Sequence, residues 1–216
     1  MLSVVIPTLD SAATLGACLA ALGEVGEIVV ADGGSGDETV AIARAAGAAV
    51  VAAPRGRGPQ LAAGAAAARG DWLLFLHGDT VLEPGWRACA ERHMAKPGER
   101  PACFRFRLAD AAWQARLVEA GVAARVRLLG LPYGDQGLLV SRRRYDEAGA
   151  YRPLPLMEDV DLVRRLPRAV VLDSGAVTSA ERWRRDGWLR RSARNLLCLA
   201  AWQAGLPVRW IARAYG

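Results

Sequence analysis

The sequence predicts an α/β fold: a Rossmann-like, three-layer α/β/α sandwich on a mostly parallel central sheet, followed by C-terminal amphipathic helices. Three observations predict it. Short β-rich runs alternate with alanine-rich helical stretches through the first hundred residues, a spacing that requires parallel pairing with right-handed crossovers. The Gly- and Asp-rich segments follow the strands, where such sheets bind ligands. Hydrophobic residues make up 52% of the 216 residues and charged residues 23%, the balance of a cored globular chain.

The elements follow in order. Leu2–Ile6 reads as a buried strand stopped by Pro7, and Ser11 as the cap of a helix over 12–22. Glu27–Ala31 is a second strand, followed by the loop Asp32-Gly33-Gly34-Ser35-Gly36, and Asp37 caps a helix to Ala46. Ala49–Ala52 is a third strand, and residues 54–59 form a loop before a helix over 60–69. Asp71–Leu76 is a fourth strand ending at His77-Gly78-Asp79-Thr80. In the second half, Cys103–Leu108, Leu138–Val140 and Ala169–Leu172 read as strands, and 110–130 and 157–166 as helices. From Gly187 onward, tryptophans and leucines interleave with arginines in amphipathic helices. The expected organisation is one domain over 1–216. It divides into a regular first half (1–100), a less regular second half (101–180) and basic C-terminal helices (181–216).

No apolar run approaches the roughly 18 residues a membrane-spanning helix needs, and the N-terminus carries no basic region or cleavage site. A cytoplasmic protein is expected, or one peripheral at the inner face of the membrane. Cys18, Cys89, Cys103 and Cys198 form no Cys-x-x-Cys pair and are expected as buried thiols. The net charge is +6. It is unevenly spread, with 8 basic against 11 acidic residues over 1–100 and 20 against 11 thereafter. That asymmetry suits phosphates or an anionic surface. However, 27 of the 28 basic residues are Arg, so a composition bias explains part of it. Nucleic-acid binding is not expected, because no recognition-helix or aromatic RNA-binding motif accompanies the charge.

Several groups could do chemistry. Asp32, in a glycine loop after a strand, can accept hydrogen bonds from a base or ribose, or simply organise its turn. Thr8 and Asp10, after the first strand, strengthen the binding reading. Asp79 offers a hard oxygen to Mg²⁺ or Mn²⁺, and His77, two residues earlier, could face the same crevice and bind metal directly or through water. Glu158, Asp159 and Asp161 gather at a helix start. There they either complement the helix dipole or supply a general base for an incoming hydroxyl. Asp135, between glycines, is a candidate for lining a substrate site. Arg55, Arg57 and Arg182 are candidate phosphate partners. His93, inside a helix, is assigned no role.

The runs Val4-Val5-Ile6-Pro7-Thr8, Val30-Ala31-Asp32-Gly33-Gly34-Ser35-Gly36-Asp37, Phe75-Leu76-His77-Gly78-Asp79 and Glu158-Asp159 resemble glycosyltransferase family 2 with its GT-A fold. Gly56-Arg57-Gly58-Pro59-Gln60, Tyr133-Gly134-Asp135-Gln136-Gly137 and Leu156-Met157-Glu158-Asp159-Val160 look like a small bacterial branch associated with radical-SAM and selenium-domain gene neighbourhoods.

The resemblance implies a metal-dependent, inverting transfer from a UDP- or GDP-linked sugar to a hydroxyl or phosphate acceptor. Thr8, Asp10, Asp32, Arg57, Gln60, His77, Asp135 and Arg182 would bind the nucleotide sugar. Asp79, with His77, would hold Mg²⁺ or Mn²⁺. Asp159 would be the base and Glu158 its neighbour. The sequence departs from the family pattern at four places: His77 stands for the first Asp of the metal motif, Gly33 for the second Asp of Asp-Asp-Gly-Ser, Ala62 for an Asn, and no histidine lies beyond His93 to supply the late His that completes the metal shell in some GT-A enzymes. The alternative is a nucleotide-sugar-binding module with little catalysis. Trp183, Trp188, Trp202 and Trp210, with Arg190, Arg191, Arg194 and Arg209, fit an interfacial helix. Residues 183–210 are therefore expected either to touch a membrane, which suits a lipid-linked acceptor, or to pack on protein or in a homodimer.

Overall fold

The computed structural model describes residues 1–215. Strands β1 (Leu2–Thr8), β2 (Glu27–Asp32), β3 (Ala49–Ala52) and β4 (Trp72–Phe75) alternate with helices α1 (Ala12–Leu22), α2 (Thr39–Ala45) and α3 (Arg57–Ala67). Next come β5 (Thr80–Leu82), α4 (Trp86–Met94), β6 (Ala102–Leu108), α5 (Trp113–Leu129) and a 3-10 turn at Gly134–Gln136. The chain continues through β7 (Leu138–Ser141), α6 (Arg142–Glu147), α7 (Glu158–Arg165) and β8 (Val170–Thr178). It ends with α8 (Glu181–Asp186), α9 (Trp188–Gln203) and α10 (Val208–Tyr215).

Among the described residues the strands form one eight-stranded sheet, ordered β3-β2-β1-β4-β7-β6-β8-β5. The β3-β2-β1-β4 half is parallel, as the alternation of strands and helices requires. Strand β7 enters antiparallel between β4 and β6, and β5 pairs antiparallel with β8. Both faces are buried, so strand residues alternate between two cores. Val4 and Ile6 of β1 pack with Leu15, Leu74 and Phe104 on the face covered by α1 and α4. Val5, between them, packs with Leu61, Phe75 and Val140 on the face covered by α3, α7 and α9. A smaller cluster of Phe106, Leu108, Ala115 and Trp183 ties α5 and α8 to the β6 end.

The structure corrects several boundaries. Pro7 does not stop β1, which runs on to Thr8 with Pro7 opposite Ala31. Val5 O accepts from Leu76 N, so the backbone of residues 5 and 7 faces β4. Pairing with β4 ends at Val5, and the N–H that Pro7 lacks has no partner there to lose. Ser11 does not cap α1 through its side chain; the Ala12 amide donates instead to Asp37 Oδ2. Helix α3 starts at Arg57, inside the expected loop, because Pro59 lies in the first turn, where its missing N–H costs nothing. Strand β8 continues to Thr178 through Asp173-Ser174-Gly175, a run with no strand propensity, held between β6 and β5. Three cysteines are buried thiols as expected, but Cys89 is half-buried.

Gly64 marks the closest approach of α3 to the sheet: a Cβ there would sit 2.4 Å from Val5 Cγ1. Gly64→Ala is expected to lower stability by about 1–3 kcal/mol through overpacking. Gly16→Ala in α1, with nothing within 4 Å of its Cβ, should raise it by up to about 1 kcal/mol. Urea unfolding of both variants checks the pair, and equal effects would refute this packing.

Candidate active site

Strand order reverses between β1 and β4, and in such sheets the crevice beyond the strand ends at this reversal is the ligand site. Thr8 ends β1 and Asp10 follows it, and His77 and Asp79 follow β4. Thr8 Oγ1 donates to Asp32 Oδ1 at 3.0 Å, and Ser35 Oγ donates to the same oxygen. Asp32 Oδ2 accepts the Gly34 and Ser35 amides, both at 2.9 Å. Burial pushes the Asp32 carboxyl up, but these bonds, led by those from Ser35, outweigh it and hold it below the usual carboxylate range. A carboxylate has about four acceptor sites, so a nucleoside contact by Asp32 requires exchange of one of these bonds. Gln60, in the first turn of α3, is buried and donates through Nε2 to Thr8 O at 2.6 Å and Ala31 O at 2.9 Å. It clips α3 to the ends of β1 and β2. Gly33 lies against this amide, its would-be Cβ 3.0 Å from Nε2. A side chain at position 33 would displace the clip.

A polar cavity of about 480 Å³ opens beside these groups, lined by Thr8, Asp10, Gln60, Arg55 and Arg57. His77, Asp79 and Arg182 lie on its inner wall and also line a smaller cavity of about 140 Å³. The far side of that second cavity carries Asp135, Glu158 and Asp159. Asp79 and Asp159, eighty positions apart in the chain, thus face one space.

Strand direction explains the gathering. Because β7 runs antiparallel to β4, with Leu138 opposite Phe75, the turn before β7 arrives beside His77. Because Thr80 pairs with Thr178, Asp79 lies beside Ser179 and the α8 start that carries Arg182. The turn closes on both neighbours: Gly134 N donates to Asp159 Oδ2 at 2.7 Å, and a Cβ on Gly134 would lie 2.6 Å from His77 Nε2. Met157, at the cap of α7, is held at φ 61, an uncommon conformation for a non-glycine residue that aims the acidic first turn of α7 at the cavity.

Electrostatics separates these groups. Burial, then the charges of Arg57 and Arg182, lowers the His77 pKa well below its ordinary value, so the imidazole is neutral. Burial pushes Asp135 up from 3.8 to about 6; the nearby Asp159 and Asp79 carboxylates add to the rise and Arg125 opposes it. Glu158, 2% exposed, is raised by burial and by repulsion from Asp159.

Sequence reasoning missed Tyr133, whose ring carries the Arg125 guanidinium 3.4 Å from its centroid, and Arg191 and Asn195 of α9, which also line the smaller cavity. Arg191 and Asn195 stand at i, i+4 on one face of α9, but Arg190, Ser192 and Arg194 interleave with them, so the spacing did not single the pair out. Of the four tail tryptophans, Trp183 and Trp188 stack on each other and Trp202 lies under Arg164. Trp210 is the exposed one.

A cation on a diphosphate needs hard donors and open positions. Asp79 supplies a carboxylate and His77 an uncharged imidazole on one cavity wall. Among the described residues no group of three His, Cys, Asp or Glu side chains is placed to hold a metal. The pair fits Mg²⁺ or Mn²⁺ that takes its remaining ligands from phosphate oxygens and water.

The family model of glycosyl transferase family 2 matches residues 3–114. Among curated proteins none matches the chain. Similar solved structures include glucosyl-3-phosphoglycerate synthase from Mycobacterium tuberculosis in complex with Mn²⁺, uridine-diphosphate-glucose and phosphoglyceric acid. It aligns at TM-score 0.63 and 21% identity over 96% of this chain and 80% of that one. A mycobacterial protein aligns at TM-score 0.58 and 24% identity over 83% of this chain and 65% of that one. S. aureus TarS 1–349 with UDP-GlcNAc aligns at TM-score 0.61 and 14% identity over 82% and 58%. The shared fold is the GT-A α/β sandwich. Among the described residues no helix is long and apolar enough to cross a membrane.

Two expectations follow from this geometry. Gly134→Ala should push the turn from His77 and Asp159 and lower donor turnover at least tenfold, with the unfolding midpoint little changed; unaltered turnover would contradict the close approach. Asp135 has a folded pKa raised from 3.8 to about 6. Its contribution to stability is therefore full below about pH 4 and is lost as pH rises through 6. Asp135→Asn removes that loss. Relative to the parent, the variant should gain about 1–3 kcal/mol between pH 4 and pH 8, read by urea unfolding at both values, and a pH-independent difference would count against the buried carboxyl.

Proposed function

The chain belongs to glycosyl transferase family 2, and from that premise we propose that it transfers a sugar from a UDP- or GDP-linked donor to a hydroxyl or phosphate acceptor with inversion. The observation that carries the reading is the shared cavity of Asp79 and Asp159, set between a polar pocket and an acceptor side. In this reading residues 1–100 hold the donor, 101–180 supply the acceptor side, and Arg182, Trp183, Arg191 and Asn195 of α8 and α9 close the cavity. Support also comes from the mycobacterial synthase of similar fold, which was crystallised with Mn²⁺ and uridine-diphosphate-glucose.

Thr8 and Asp10 bind the nucleoside in the polar pocket, with Asp32 and Gln60 fixing the loop and helix around it. Arg57, at the first residue of α3, and Arg182, at the start of α8, take the diphosphate; planar guanidinium groups suit its oxygens, and a helix N-terminus favours anions. Asp79 and His77 would hold Mg²⁺ or Mn²⁺, which when bound would supply charge stabilisation for the departing diphosphate. Asp159, oriented by the Gly134 and Val160 amides, accepts the acceptor proton as its oxygen attacks the anomeric carbon from the face opposite the diphosphate. Glu158, buried beneath it, fixes the floor. The cavity's small size holds both partners in line.

Turnover of UDP- and GDP-sugars with Mn²⁺ tests the reading. Asp159→Ala should lower turnover by about 10²–10⁴-fold with donor affinity within a few-fold of the parent. Asp79→Ala should weaken Mn²⁺-dependent donor binding. Full activity in both variants sinks the assignment, and tight donor binding with no glycosylated product from any acceptor leaves a binding module.

A further inference from the structure

The turn that carries Gly134 and Asp135 is costly where it stands. Gly134 lies so close to His77 that a Cβ would meet Nε2 at 2.6 Å, and Asp135 Oδ1 is buried without a hydrogen-bond partner. An orphaned buried acceptor favours any movement that wets it, so the turn must be held from outside. Arg125, in the penultimate turn of α5, supplies the hold. Its Nε donates to Leu131 O at 3.0 Å, ahead of the turn, and its Nη2 to Gln136 Oε1 at 3.3 Å, at the end of the turn. Between these bonds the guanidinium lies 3.4 Å from the centroid of the Tyr133 ring. One planar group thus grips residues 131, 133 and 136 at once, which suits a fork with a flat face and not the point charge of a lysine. Gln136, 2% exposed, passes the grip on: Oε1 also accepts the Tyr133 amide at 3.4 Å, and Nε2 donates to Phe104 O of β6 at 3.1 Å. Burial raises the Asp135 carboxyl, and the charge of Arg125 is the strongest influence opposing it.

We infer that Arg125 is a positioning residue for the transfer: by clamping the 131–136 turn onto α5 and β6, it holds the Gly134 amide on Asp159 Oδ2 and keeps that carboxylate in line. The inference rests on the glycosyl-transfer reading and goes beyond it, since Arg125 lines the apolar groove beside α9 and not the cavity that holds Asp79 and Asp159. Of the three arginines on α5, Arg116 pairs with Glu119 and Arg127 is exposed, whereas Arg125 donates to the turn. Its partners are two neutral oxygens and a ring, so the grip depends on shape as well as charge. A side chain that keeps only the charge must loosen it. A loosened turn carries the Gly134 amide away from Asp159. Thr8, Asp10 and Arg57, which the reading gives to the donor, stand on or beside β1 and α3. The loss therefore falls on kcat and spares the donor KM.

Three variants on α5 test the inference: Arg125→Met, Arg125→Lys and, as a control at an exposed position, Arg127→Met. Amide hydrogen exchange over residues 131–137, read by mass spectrometry, needs no substrate. It should quicken about tenfold or more in Arg125→Met, with β6 and β7 unchanged and Arg127→Met like the parent. Turnover of UDP- or GDP-sugars with Mn²⁺ should show kcat lowered by about 10–10²-fold in Arg125→Met, with the donor KM within about threefold of the parent. Arg125→Lys should regain no more than about threefold of the lost kcat. Adding Gly134→Ala to Arg125→Met should cost no more than about threefold beyond the worse single variant, because both act through one turn. Unchanged exchange in Arg125→Met, full recovery by lysine, a loss confined to the donor KM, or losses that multiply in the double variant overturn the proposal. Faster exchange with parental kcat does so too, since the clamp then serves the fold alone. A parent that turns over no donor defeats the transfer reading, while the exchange measurement still decides the clamp, so the two failures are distinct.

Discussion

The candidate site depends on one close approach, the backbone of Gly134 wedged between an imidazole and a carboxylate. Its N–H holds Asp159 Oδ2, and its bare α-carbon admits His77 on the other side. The glycine is required for space and not for conformation, since Gly134 is not among the positive-φ residues. Three segments that never meet in the chain are thereby fixed at one spacing. Met157 is the second constraint on the same geometry. Its φ of 61 turns the chain sharply enough that the first two residues of α7 both line the cavity. Strained backbone of this kind persists where the surrounding packing over-determines it, and Met157 is itself buried between the α7 face and the sheet.

The mixed sheet makes that meeting possible. A wholly parallel sheet would present only strand C-termini at this edge. The antiparallel β7 adds a strand start, and so the Gly134–Gln136 turn, to the rim beside β4. Pairing of β5 with β8 then folds Asp79 back toward the α8 start. A polar pocket, a smaller acidic cavity and an apolar groove follow one another because each shares wall residues with the next.

The parallel half was legible in the sequence because buried strands there are continuous apolar runs bounded by Gly and Asp. Leu73 and Leu74, for example, face opposite cores yet are equally buried. Strand β5 was not legible. Three residues carry no periodicity, and Thr80–Leu82 is a strand because β8 offers it an edge. The far half of β8 was hidden for a similar reason: its Gly175 is required where the Glu83 carboxylate crosses, a Cβ there meeting Glu83 Cδ at 2.5 Å. The site was legible at positions where a residue type alone limits the chemistry, as with Asp79 and Asp159. Gln60 was legible from its motif, but its task of bonding two strand-end carbonyls depends on tertiary distance. Arg125, Arg191 and Asn195 lie on helices that carry several arginines each, so no single one stood out in the sequence.

Charge limits which ligands such a cavity can receive. Asp79, Asp135, Glu158 and Asp159 face Arg57, Arg182 and Arg191 across a space of about 140 Å³. The acids crowd one another: Asp135 and Glu158 are both raised, first by burial and then by neighbouring carboxylates. A diphosphate arriving alone would add negative charge to this cluster and be held by arginines at the rim only. A diphosphate arriving with a divalent cation adds little net charge, and the cation would favour the ionised form of the acids it meets. Protons on Asp135 and Glu158 and a cation near Asp79 therefore oppose each other through the same carboxylates. Neutral His77 escapes that competition, because burial has already removed its proton. An imidazole in place of the family's first acidic residue keeps a nitrogen donor on the wall without adding a fifth negative charge to the cluster.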